Sequence, residues 1–423
     1  MRVWIALLFF LLFSLTAFSA TETARTISFE ELPNLVKERN ENIKAAQSTV
    51  LAREQRTGRL KRSFFPSLSA QVGGEQFQTG PDPTEHRGFW LVEGSVNLYR
   101  GGRDRLEDKV RLSEAKVASA ELATELVKEI KEARETYWKL VAIAREIADV
   151  EEAFDRNEAS IKSARRRAGA GVTTGADALQ FELHKTILSQ SLKKLRHEQD
   201  VFRSQLAVAL GMDDHESLTV ATAFPTPSDS DLNAEAAATD THPEIRAFNE
   251  RAQVDRLRGD QASRWWLPKV DLYSSYGLPA LSDEYTRALR NEREWTAGVR
   301  LGFSLSDAIE EKLDVQARRL EAQALENRSA HKTREIKAAD HELRHDLKLT
   351  QELIRDADRD IDTASRFLKL TENEYSRGVK NGPDLLSAFQ QLYEFRKRRT
   401  ELYLDYHTTR AELAALTSKM ESP

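Results

Sequence analysis

Few side chains in this sequence are spaced for chemistry. His341 and His345 lie four residues apart, beside Asp340, Glu342 and Asp346. On a helix that spacing stacks two imidazoles on one face, where they could ligate a metal. A lone pair on a densely charged helix reads as solvated surface, so no metal site is expected. Asp356, Asp358, Asp360 and Asp362 form an alternating run, but residues two apart diverge around a helix, and all four cannot share one face. Asp177 and Asp384 each stand three residues after a candidate cap, Thr174 and Asn381. A carboxylate there closes a capping box and meets the positive end of the helix dipole. No nucleophile elbow, phosphate-cradling loop or pair of catalytic carboxylates stands out. No catalytic residue, cofactor or enzymatic activity is expected.

The two aspartates belong to a pattern used twice. Arg166 to Ala178 and Tyr375 to Ala388 are Gly-marked turns between long helical patterns, and Gly171 and Gly378 are 207 positions apart, as are Asp177 and Asp384. A helix that ends at Gly and restarts from a Thr or Asn cap makes a helical hairpin tip. The elements around the tips repeat as well. Pro66 and Pro268 follow apolar pairs at the ends of helical segments, and Trp90 and Trp295 open alternating stretches. The offsets drift only from 202 to 207, which supports an internal duplication. The expected organisation is a signal peptide over 1–19, a first repeat over 20–212, a connector over 213–240 and a second repeat over 241–423.

Composition narrows the setting. The 423 residues are 31% charged with a net charge of −5 and no cysteine. That balance argues against nucleic acid as a partner, and it leaves no disulfide, thiolate ligand or lipid-modified cysteine. Residues 1–20 form an apolar run behind Arg2 ending in small residues, the pattern of a secretory signal cleaved after Ser19.

Within each repeat the period changes from helix to strand and back. Ser28 to Glu31 reads as a capping box before a short helix, and Thr241 to Glu244 as a cap in the second repeat. Leu68, Ala70 and Val72 then alternate with polar residues. Trp90, Val92, Gly94, Val96 and Leu98 alternate with Leu91, Glu93, Ser95, Asn97 and Tyr99. In the second repeat Val270 and Leu272 share one strand face, and Trp295, Val299, Leu301 and Phe303 share another. Proline-free helical patterns follow over about 102–168 and about 307–376. Each spans about 100 Å at 1.5 Å per residue, the length of a coiled coil. Four strands of about ten residues with one apolar face fit a tilted membrane crossing. Four strands cannot close a barrel around water, so a membrane role requires several chains.

The duplicated order of helix, strand, strand, very long helix, Gly-turn and helix resembles the TolC family of outer-membrane efflux proteins. The likeness is carried by the two tips, by the Phe-Pro-x-Leu and Leu-Pro-x-Val segments that lead into the strands, and by their order. It implies a mainly α fold with a small β part: long coiled-coil hairpins in tandem repeats, with four strands per chain contributing to a trimeric 12-stranded barrel above a periplasmic α-barrel. It further implies a homotrimer in the outer membrane that contacts lipid there, a periplasmic membrane-fusion adaptor, and an inner-membrane pump or ABC exporter. By resemblance the adaptor meets Gly171, Val172, Thr173, Gly378, Val379 and Lys380. The closing gate falls to Asp177 with Lys380 of the neighbouring tip, with Asp360 and Asp362 as further candidates. The family's constriction positions fall nearest Ile361 and Ala364, which are not acidic. Trp90, Val92, Val96, Leu98, Val270, Leu272, Trp295, Val299, Leu301 and Phe303 would face lipid. The functional expectation is a passive exit duct for tripartite efflux or type I secretion; the alternative is a soluble periplasmic coiled-coil scaffold or adaptor.

Overall fold

A computed structural model describes residues 25–58, 60–78, 85–171, 175–213, 218–228, 242–278, 293–303 and 308–417. In chain order the elements are β1 (Arg25–Thr26), α1 (Leu32–Arg39), α2 (Glu41–Glu54), β2 (Ser67–Phe77), β3 (Glu85–Arg100), α3 (Arg103–Gly169) and α4 (Ala176–Ala209). They continue with β4 (Leu218–Thr219), α5 (Pro243–Ala262), β5 (Lys269–Leu278), β6 (Glu294–Gly302), α6 (Ala308–Ser376) and α7 (Gly382–Leu416). The fold is mainly helical with a small antiparallel sheet, as the alternating and helical periods require.

The chain forms two compact units, each assembled from both halves of the sequence. One comprises residues 33–132, 227–352 and 405–423. It holds the four-stranded sheet, in the order β2-β3-β5-β6 with every neighbouring pair antiparallel. Directly paired residues share a face. Leu68, Ala70 and Val72 therefore stand beside Gly94, Val92 and Trp90. Trp90, Val92 and Val96 stand beside Leu278, Tyr276 and Leu272. Val270, Leu272 and Tyr276 in turn stand beside Leu301, Val299 and Trp295. One apolar face results, and it is left open: Val72 is 85% exposed and Trp295 71%. Trp90 and Tyr276 meet edge to face on it, centroids 5.7 Å apart.

The opposite face carries Glu93, Ser95, Asn97, Asp271, Tyr273 and Arg300. Two glycines there make room for aromatic rings. A Cβ on Gly73 would sit 2.5 Å from the Phe89 ring, and one on Gly298 would sit 3.1 Å from the Tyr273 hydroxyl. The Arg300 guanidinium lies over the Tyr273 ring at 4.6 Å.

Three local readings change in this unit. β3 begins at Glu85 instead of Trp90, because the hairpin pairing with β2 runs as far as Phe77 opposite Glu85. Its alternation breaks near its end. The register passes from Asn97–Asp271 to Tyr99–Val270, so Leu98 is an extra residue and Tyr99 moves to the apolar side. The cap expected at Thr241 to Glu244 centres on His242, which makes no side-chain capping bond and is followed by Pro243 in the first helical turn. Thr241 lies outside the described residues.

The second unit comprises, among the described residues, 25–32 and those within 133–226 and 353–404. Arg25 and Thr26 pair in parallel with Leu218 and Thr219. Ser28 forms no side-chain cap; its carbonyl accepts from the Glu31 amide at 3.2 Å, closing a 3-10 turn where the capping box was expected. Phe29 packs on Tyr137 and Trp138, and Trp138 stacks on Phe224. Two apolar clusters hold the helices of this unit. One joins Ile143, Ile147 and Val150 to Leu188 and Leu195. The other joins Ile161, Ala164 and Phe181 to Ala364, Leu368, Tyr375, Leu385 and Phe389. Full burial of a side chain such as Phe181 contributes about 1.5–3 kcal/mol.

Candidate functional site: the paired hairpin tips

The tips form where α3 turns into α4 and where α6 turns into α7. Both helices end as the glycines dictate. Gly171 has φ 72° and Gly378 φ 81°, left-handed conformations that a side chain disfavours. The Gly171 amide reaches the Ala168 carbonyl. In the second tip the Gly378 and Val379 amides reach the carbonyls of Tyr375 and Glu374. Val379 is 73% exposed, and Lys380 is half-buried behind it. Val172, Thr173 and Thr174 lie outside the described residues.

The restarts differ. In the second tip the Asn381 side chain accepts from the Asp384 amide at 3.0 Å, while the Asp384 carboxylate accepts from the Asn381 amide at 3.2 Å. This is the reciprocal capping box expected there. In the first tip the cap position is Gly175 and Asp177 is the second residue of α4. Thr174, the cap expected there, lies outside the described residues, and the Asp177 carboxylate is directed at the other tip. It lies against the first residue of α7. A Cβ on Gly382 would stand 2.8 Å from Asp177 Oδ1 and 2.9 Å from its Cγ. Gly382 has no side chain, and this allows the contact.

A second contact ties the same two tips. Arg167, at the end of α3, donates through Nη1 to the Tyr375 carbonyl at 2.6 Å. Its guanidinium also lies over the Tyr375 ring at 4.3 Å. Tyr375 is buried, edge to face with Phe181, and its hydroxyl has no hydrogen-bond partner among the described residues. Burial raises its pKa and the nearby Asp177 charge raises it further. The tip pair is thus a cation, a buried ring and a carboxylate joining the two hairpins.

Other expected site residues are placed as follows. No ion pair joins Asp177 and Lys380 within one chain, among the described residues. Of the aspartate run on α6, Asp356 pairs with Arg359 at 3.2 Å, Asp358 with Arg399 at 3.3 Å, and Asp362 with Arg366. Asp360 is exposed with no counter-charge among the described residues. Ala364 is buried in the core with Ile361 packed against it, so these two positions face inward within the chain. His341 and His345 stand on α6 with ring centroids 6.2 Å apart. Arg167, Tyr375 and Gly382 were not singled out by sequence reasoning. The one available signal was that Gly175 and Gly382 are themselves 207 positions apart.

No protein-family model matches the chain, and no curated protein matches it in sequence. Solved structures do match. VceC, an outer-membrane protein of Vibrio cholerae, superposes with a TM-score of 0.75 at 14% identity, covering 92% of this chain and 96% of that one. The outer-membrane channel OprN matches with a TM-score of 0.74 at 16% identity, over 92% and 89%. The open state of the MtrE channel of Neisseria gonorrhoeae matches with a TM-score of 0.70 at 14% identity, over 92% and 88%. The chain has the fold of the outer-membrane channel proteins, the fold expected of the TolC family.

Proposed function

We propose that the chain is one protomer of an outer-membrane channel-tunnel, a passive exit duct for a tripartite efflux or type I secretion system. The observation that carries this reading is the four-stranded sheet, whose apolar face of Leu68, Val72, Trp295, Val299 and Leu301 is open to solvent in the isolated chain. A soluble protein rarely leaves such a band uncovered. Lipid would cover it, and the opposite face of Glu93, Asp271 and Arg300 suits a water-filled lumen. Water cannot be enclosed by four strands. Three copies would supply twelve, a homotrimer in the outer membrane, consistent with a signal peptide over 1–19. On this reading 20–212 and 241–423 are tandem repeats joined by a connector, and the apolar residues from Trp90 to Phe303 named above contact lipid.

The tips are read as the end that meets a periplasmic adaptor, through Gly171 to Thr173 and Gly378 to Lys380, with an inner-membrane pump supplying the energy. Asp177 is held against Gly382 and half-buried, where it can reach a cation on a neighbouring copy; Lys380 is the candidate. One exposed pair contributes about 0–1 kcal/mol, so a ring of them is needed to hold a gate. Envelope fractionation followed by mass measurement in detergent tests the assembly. Residence in the outer membrane at a mass of three protomers is expected. A protein that stays in the soluble fraction without detergent would leave the periplasmic scaffold instead.

A further inference from the structure

We infer that His341 and His345 form a two-histidine binding site for a divalent transition metal of the copper–zinc class. The segment reads His-Glu-Leu-Arg-His on α6. Two histidines at that spacing project from one helix face. Both are exposed, their ring centroids are 6.2 Å apart and their planes are inclined by 37°. Neither has a hydrogen-bond or ion-pair partner among the described residues. A metal bound to both needs each ring nitrogen about 2.0–2.1 Å away. Rings already 6.2 Å apart on exposed side chains reach that by rotating about their own torsions, with no movement of the helix.

The neighbouring carboxylates define what kind of site this is. Asp340 is committed to Arg344, with Nε 3.0 Å and Nη2 3.1 Å from its oxygens. Glu342 and Asp346 line a cavity of about 640 Å³ together with His242, Lys131 and Glu412. The same sequence pattern in metalloproteases needs its glutamate beside the metal as a base and a third protein ligand. Here the third ligand is missing: no group of three or more ligating side chains occurs among the described residues. The arrangement binds a metal through two imidazoles, with water completing the shell, and performs no hydrolysis. Imidazole favours copper, nickel and zinc over magnesium and calcium.

The test is calorimetric titration of the full-length, detergent-solubilised protein with Cu²⁺ and with Zn²⁺ at pH 7.5. One ion per chain is expected. His341→Ala and His345→Ala should each weaken binding at least about tenfold, while His331→Ala leaves it unchanged. A readout without mutation is protection of both rings from diethyl pyrocarbonate by Zn²⁺, mapped by peptide mass. Equal titrations of the wild type and the His341→Ala, His345→Ala double variant would overturn the assignment. So would unprotected rings at saturating Zn²⁺.

Discussion

Asp149 and Glu152 lie within one turn of each other on α3, and their charges act on the fold in opposite directions. Glu152 accepts from Arg396 at 2.7 Å and from Arg156, and the Arg396 bond holds its pKa below the ordinary value despite partial burial. Its stabilisation is therefore present above the unfolded pKa of about 4.3 and is lost as pH falls through the lower folded value. Asp149 is 5% exposed, with one carboxylate oxygen unbonded and Arg145 and Arg396 at 3.5 Å. Burial raises its pKa, so its contribution is present below about 3.9 and is lost as pH rises through the raised folded value. Glu152→Gln should destabilise the fold at pH 7 by no more than about 1 kcal/mol given its exposure, read as a lower melting temperature, and the difference should close below about pH 4. Asp149→Asn should melt at or above the wild type at pH 7, since Arg396 keeps Glu152. Thermal melts at both pH values check the pair; a large loss for Asp149→Asn at pH 7 would reverse the assignment. Neither behaviour was legible in the sequence, because burial and the approach of Arg396 arise only when α7 packs on α3.

At the scale of elements, most of the pattern was legible and the departures have local causes. The long helices begin and end within about a residue of their expected bounds, because Gly171 and Gly378 can adopt the left-handed conformation that stops them. Asn381 and Asp384 form the cap their spacing demands. Ser28 and Glu31 have the same kind of spacing but close a backbone turn instead. The break at Leu98 has no residue-type signature, so alternation alone put Tyr99 on the wrong face. The contact of Asp177 with Gly382 joins positions 205 apart in the chain, and local pattern carries no trace of it. It can be tested through Gly382→Ala. The new methyl would meet the Asp177 carboxylate at under 3 Å. Faster amide exchange in the first turn of α4, with little change in global melting, is expected. Unchanged exchange there would mean that Asp177 does not rest on the second tip.

For the whole molecule, the open question is what covers the sheet. Val299 and Thr296 are three positions apart on β6, on opposite faces. If lipid covers the apolar side, Val299→Arg should impair insertion into vesicles by about 2–4 kcal/mol, whereas Thr296→Arg on the polar side should be tolerated. Equal tolerance would place both faces in water. The alternating strands and the duplicated hairpins made a multi-chain membrane channel legible as an expectation. Which adaptor, pump or cargo the proposed duct would serve was not legible, since no motif in the chain names one. The most direct measurement is planar-bilayer conductance of the purified wild-type protein beside Asp177→Ala. Discrete, small currents from the wild type, rising in the variant, are the predicted result. A membrane that stays silent after both proteins are reconstituted into it would contradict the channel.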